Sequence, residues 1–79
     1  MPKYFKGYRP QVPDTHNSDQ KNAPDQPQYN GIVFEDGRTV LQWLTAVRSI
    51  AIFNSYEEFF KIHGHPEYGT RIDWVEINV

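Results

Sequence analysis

The chain has 79 residues, few enough for one domain whose stability rests on a small core. Its net charge of −2 lacks the basic excess that non-specific DNA binding needs, and it is too small for an acidic mimic of nucleic acid. The absence of cysteine excludes disulfides and thiolate zinc sites.

No apolar run approaches the roughly 20 residues of a membrane span, and residues 1–10 carry no apolar stretch of signal-peptide type. These features lead us to expect a cytosolic protein with no membrane partner. Aromatic residues make up 15% of the chain, so rings are expected to supply most of the core.

Two regions differ in kind. Residues 1–28 hold five of the six prolines, and from Pro10 to Gln28 the one aliphatic side chain larger than alanine is Val12. Such a stretch buries too little apolar surface to offset the entropy of ordering it, and reads as an extended or disordered arm. A coil packed along the domain's edge is the other reading. Its first ten residues alternate basic and aromatic side chains: Lys3, Tyr4, Phe5, Lys6, Tyr8 and Arg9. They read equally as an arm that stacks on a partner and as an extra edge strand.

Residues 29–79 read as a small α+β domain, with a β-β-β-α-β order and one helix packed on one face of an antiparallel sheet. Gly31–Glu35 and Arg38–Leu44 are β-rich runs joined by Asp36-Gly37, the signal for a type I′ hairpin. That turn pairs Phe34 with Thr39 and Val33 with Val40. It gathers Ile32, Phe34, Thr39, Leu41 and Trp43 on the core face, and Val33, Glu35, Arg38, Val40, Gln42 and Leu44 on the other. Ser49–Phe53 is a third strand, with Ile50 and Ile52 pointing one way and Ala51 and Phe53 the other.

Ser55 and Glu58 form a capping box for a helix over Tyr56–His63. Tyr56, Phe59, Phe60 and His63 make its sheet-facing stripe, and Gly64 is placed to be a left-handed cap. Pro66–Gly69 is a turn. Thr70–Ile77 is the last strand, with Ile72 and Trp74 in the core.

The pattern Gly31-x-Val33-Phe34-x-Asp36-Gly37-x-x-Val40-Leu41-x-Trp43-Leu44, then Arg48-Ser49, Asn54-Ser55-x-Glu57, Ile62-His63-Gly64-His65 and Thr70-Arg71-Ile72-x-Trp74, resembles small uncharacterised bacteriophage and prophage proteins. The resemblance covers about the last 50 residues and leaves out 1–28. It implies a phage-encoded accessory protein of the host cytoplasm that occupies a site on a host enzyme or defence complex.

Catalytic groupings are not evident. Glu57 and Glu58 point different ways on the helix and both serve its start, and there is no glycine-rich phosphate loop. We therefore expect no enzyme activity and no cofactor. His63 and His65 are weak metal candidates, with Glu67 or His16 as further ligands; the structural reading has His63 close the helix stripe against a Trp.

Binding to a host or phage protein is the favoured class. The candidate contact residues are Tyr4, Phe5, Lys6, Tyr8, Arg9, Arg38, Tyr68 and Arg71, a set rich in tyrosine and arginine. Weak nucleic-acid binding by the basic-aromatic arm is the alternative. A homodimer through an edge strand, either the last strand or the arm, is also open.

Overall fold

A computed structural model of the chain describes residues 1–13 and 21–75. The strands are β1 (Lys3–Tyr8), β2 (Tyr29–Val33), β3 (Thr39–Trp43), β4 (Ile50–Phe53) and β5 (Arg71–Val75). Helix α1 (Tyr56–His63) and a single 3-10 turn (Pro66–Tyr68) lie between β4 and β5. All strand pairs are antiparallel, in the order β4-β3-β2-β1-β5.

The α+β class and the single helix on one sheet face follow the sequence. The N-terminal ten residues do not behave as an arm. They supply β1, which is an interior strand rather than an extra edge, paired with β2 on one side and β5 on the other. The edge positions fall to β4 and β5.

Residues 21–28 are also tied to the sheet. Gln28 is buried, its N–H donates to the Gly7 carbonyl at 2.7 Å, and its carbonyl accepts from Leu44 N–H at 2.8 Å. Asn22 Nδ2 donates to the carbonyls of Pro27 and Leu44. Position 28 is therefore not a boundary in the fold. Polar groups, not apolar ones, hold this segment, which is why its composition hid its order.

The β2–β3 hairpin forms where Asp36-Gly37 places it, but one residue out of the expected register. Val33 faces Thr39, Ile32 faces Val40 and Gly31 faces Leu41. Gly37 N–H donates to the Phe34 carbonyl, and Phe34 N–H to the Arg38 carbonyl. Gly37 has φ +93°, whereas Asp36 stays at negative φ. This is a three-residue loop with a glycine bulge instead of a two-residue type I′ turn.

The slip reverses β2 against β3. Tyr29, Gly31 and Val33 join Thr39, Leu41 and Trp43 on the helix-covered face, while Ile32 moves to the open one. Phe34, assigned to the core by the sequence, is 43% exposed beside the hairpin.

The core is a ring cluster. Phe5, Tyr29, Leu41 and Phe59 are fully buried, with Val33, Trp43, Ala51, Phe53, Tyr56 and Ile72 packed around them. Phe5 makes edge contacts with Tyr29, Tyr56 and Trp74 and a tilted one with Phe59. Within the helix stripe, Phe60 is displaced to the margin, exposed and stacked on Tyr56.

The helix starts as its sequence requires, with Ser55 Oγ accepting from Glu58 N–H at 3.1 Å. Ser55→Ala is expected to cost about 1 kcal/mol. In a domain of this size that lowers the melting temperature by about 4–8 °C, read from a thermal melt followed by circular dichroism. At the other end Gly64 is right-handed (φ −65°), and the left-handed residue is His65 (φ +33°). The expected glycine cap is displaced by one position, because Gly64 N–H continues the helical pattern to the Phe60 carbonyl at 2.7 Å.

Candidate interaction surface

Among the described residues the helix covers one face of the sheet and leaves the other open. Cross-strand register assembles that open face into rows. One row runs Val75, Tyr4, Ile32, Val40, Ile52 across all five strands. Every member is aliphatic or aromatic. The next row runs Asp73, Lys6, Asn30, Gln42, Ile50, and Arg71 faces Tyr8 beyond it.

A solvated sheet face ordinarily alternates to polar residues. Here Ile50 and Ile52 are 68% and 72% exposed, and Val75 is 40% exposed. The middle of the face is a shallow depression of about 480 Å³, lined mostly by apolar side chains, with Lys6 as its charged member. At its floor the Asn30 carboxamide oxygen is buried without a hydrogen-bond partner. A second depression of about 610 Å³ continues it past Ile52 and Val40 to Phe34, Pro2 and the hairpin.

Of the eight contact residues read from the sequence, Tyr4, Lys6, Tyr8 and Arg71 share this face. Arg71 lies over the Tyr8 ring at 4.4 Å and pairs with Asp73 through both Nε and Nη2. Arg38 borders the second depression and is held by Asp36, 3.5 Å away. Phe5 is a correction: it is 1% exposed, pointing away from this face into the core, so it cannot touch a partner. Ile32, Val40, Ile50, Ile52 and Val75 are not among the contact residues named from the sequence, and Ile32 is there assigned to the core face. For Ile50 and Ile52 the signal is the alternation Ile50-Ala51-Ile52-Phe53, in which the two isoleucines face away from Phe53.

Arg9 and Tyr68 belong elsewhere. They line a cleft of about 310 Å³ at the end of the sheet, together with Trp43, Thr45, Val47, Ser49, His63 and His65. Arg9 Nη2 donates to the His63 carbonyl at 2.6 Å, placing a cation at the negative end of α1. Its guanidinium lies over the rings of Tyr29, Trp43 and Tyr68 at 5.2–5.6 Å. Burial lowers the Arg9 pKa, and burial raises that of Tyr29 to about 12.

His63 closes the helix stripe against Trp43, Phe53 and Phe59. His65 stacks on Tyr68, and its Nδ1 lies 2.8 Å from Glu67 Oε1. That contact lowers the pKa of the Glu67 carboxyl. Among the described residues no three side chains of metal-ligating type come together, and His16 lies outside those residues.

His63 has its pKa lowered by burial first, then by the positive charge of Arg9 and by His65. A base with a depressed folded pKa binds fewer protons folded than unfolded. Its contribution to stability is therefore complete above the ordinary value of 6.5 and is lost as pH falls below it. Denaturation midpoints should drop between pH 7.5 and 5, and His63→Phe should flatten that drop. A wild-type profile unchanged by this substitution would contradict the assignment.

A family model for the Acb5 phage protein matches residues 29–76. The chain belongs to that family. The bacteriophage resemblance read from the C-terminal two-thirds is thereby borne out. The family match begins at β2, so β1, the strand between β2 and β5, lies outside it. No curated protein and no solved structure matches the chain. Among the described residues no helix is long and apolar enough to cross a membrane.

Proposed function

We propose that this phage protein works by binding another protein, holding a host enzyme or defence complex against the open face of its sheet in the host cytoplasm and inhibiting or redirecting it, without chemistry of its own. One observation carries the reading: an apolar row crosses all five strands on the face that the helix leaves uncovered. A contiguous apolar patch with polar surroundings is a mark of a protein-binding surface. Tyr4, Tyr8 and Arg71 at its margin are of the types that anchor interfaces.

Charge favours a protein over nucleic acid as the occupant. Two arginines near the face, Arg38 and Arg71, are each paired with an aspartate, which among the described residues leaves Lys6 as the single other cation of the two depressions. A phosphate backbone requires unpaired cations, and counterion release scales with their number.

The test uses the full chain as bait in a bacterial lysate, followed by reconstitution from purified components. Ile50→Lys with Ile52→Lys removes the apolar end of the face at two exposed positions, so the fold is retained. The expected result is a stoichiometric complex that the double variant weakens at least tenfold. A complex indifferent to the double variant overturns the reading. So does recovery of nucleic acid alone, released by rising salt, or of the chain paired only with itself through a sheet edge.

A further inference from the structure

In the Arg9 cleft the guanidinium is met by ring faces and by the end of α1, and among the described residues by no carboxylate of its own. A guanidinium in an aromatic enclosure is normally matched by a carboxylate, because a half-buried charge without one is costly. Among the described residues no carboxylate pairs with Arg9. The nearest acid whose field reaches it, Glu67, is engaged by His65. Arg9 Nε is buried with no hydrogen-bond partner, and so is the Tyr29 hydroxyl beside it. Its Nη2 donates to a neutral carbonyl, that of His63.

The cleft walls are chemically specific. Trp43, His63, His65 and Tyr68 present flat rings, while Thr45 and Ser49 bring hydroxyl groups to the rim. The volume, about 310 Å³, is that of a small-ligand site. His65 is held at φ +33°, a conformation disfavoured for a side chain with a Cβ, and this residue is part of the wall.

We propose that this cleft is a binding site for a small oxyanion carried on a flat ring, with Arg9 as charge partner and the ring seated between Trp43 and Tyr68. The oxyanion is a phosphate or a carboxylate; the same planar donor fork accepts both. The site is independent of the open sheet face, since Arg9 follows β1 at the sheet's end and shares no lining residue with the central depression.

Phenyl phosphate, benzoate, inorganic phosphate and benzyl alcohol serve as probes, each titrated into isotopically labelled full-length protein. The expected result is saturable shifts of the Trp43 indole and the His63 and His65 ring signals with phenyl phosphate, benzoate or both. Inorganic phosphate should bind at least tenfold more weakly, and benzyl alcohol should not saturate. The two ring anions identify which oxyanion the fork prefers. Arg9→Gln should weaken binding at least tenfold.

Because Arg9 also braces the helix end, Ser49→Leu provides a second variant. It fills the cleft from an exposed position and should abolish binding with the melting temperature unchanged. The bound anion should also raise the His63 pKa, opposing the effects of Arg9 and His65 on that ring. Saturation by none of the anions, equal affinity for benzyl alcohol, or full binding by Ser49→Leu overturns the proposal. Equal affinity for inorganic phosphate overturns the role of the ring.

Discussion

A chain lacking residues 1–10 is expected to be unfolded. These residues read as an appendage in the sequence, yet they contribute a strand with a neighbour on each side. Removing it leaves β5 without its sheet partner and opens the centre of the core where Phe5 sits. Truncating one buried aromatic ring costs about 3–5 kcal/mol by itself. A domain of this length has on the order of 4–12 kcal/mol in total. Loss of Phe5 together with two strand pairings exceeds what such a domain can absorb. Circular dichroism should show no cooperative thermal transition for the truncated chain. A cooperative melt near that of the full chain would contradict the interior position of β1.

This expectation bears on function as well. A partner lost on deleting the N-terminus would not locate the binding site there, because the whole sheet is lost with it. Substitutions at exposed positions such as Ile50 and Ile52 separate contact from folding, and truncation does not. The family match over 29–76 likewise does not delimit a folding unit, since it omits the strand between β2 and β5.

What the sequence disclosed and what it hid divides along the range of the interactions. The span of the helix and its N-terminal cap were legible because Ser55, Glu58 and the ring spacing act within one or two turns. The hairpin was legible as a hairpin, and its register was not. Asp36-Gly37 fits a two-residue turn and a three-residue loop with a glycine bulge equally well. The choice between them depends on which faces the flanking side chains must take. Tyr29 and Val33 had to be inside, and that required Gly31 to lie beneath a ring from a strand more than 20 residues away. Nothing local carries such a pairing.

The same distance explains the site. Tyr4, Lys6, Tyr8 and Arg71 were visible as candidates from residue type. Their shared face depends on a β1–β5 pairing across more than 60 residues. Arg9 was visible as one more cation in an arm. Its enclosure by Tyr29, Trp43 and Tyr68 follows from the pairing of β1 with β2 on one side and β5 on the other, as does the burial of Phe5.

One non-local signal was present in the sequence. Phe5-x-Gly7 and Tyr29-x-Gly31 are copies of one pattern, aromatic-x-glycine, in strands that run antiparallel. The register sets Phe5 opposite Gly31 and Gly7 opposite Tyr29, so each ring lies over the other strand's glycine. A Cβ on Gly31 would fall inside the Phe5 ring, and one on Gly7 inside the Tyr29 ring. Two of the three fully buried rings of the core therefore occupy the space that two absent side chains leave.

Gly31→Ala is accordingly expected to act as a core deletion. The added methyl cannot coexist with the ring, which must leave its place among Tyr29, Tyr56, Phe59 and Trp74. The cost should approach that of losing the ring itself, about 3–5 kcal/mol, read as a fall in the denaturant midpoint at unchanged slope. Phe5→Leu shortens the side chain above the glycine and is destabilising alone. Combined with Gly31→Ala it should cost less than the sum, with a coupling of about 0.5–3 kcal/mol, since the smaller side chain leaves room for the methyl. Gly37→Ala provides the contrast: its φ is +93°, yet nothing lies within 4 Å of an added Cβ, so strain alone costs about 1–2 kcal/mol. Additive costs for Gly31→Ala and Phe5→Leu would mean that the ring does not rest on the glycine. A shortfall below the sum ties the two residues together across the strand pair that joins the N-terminal segment to the family domain.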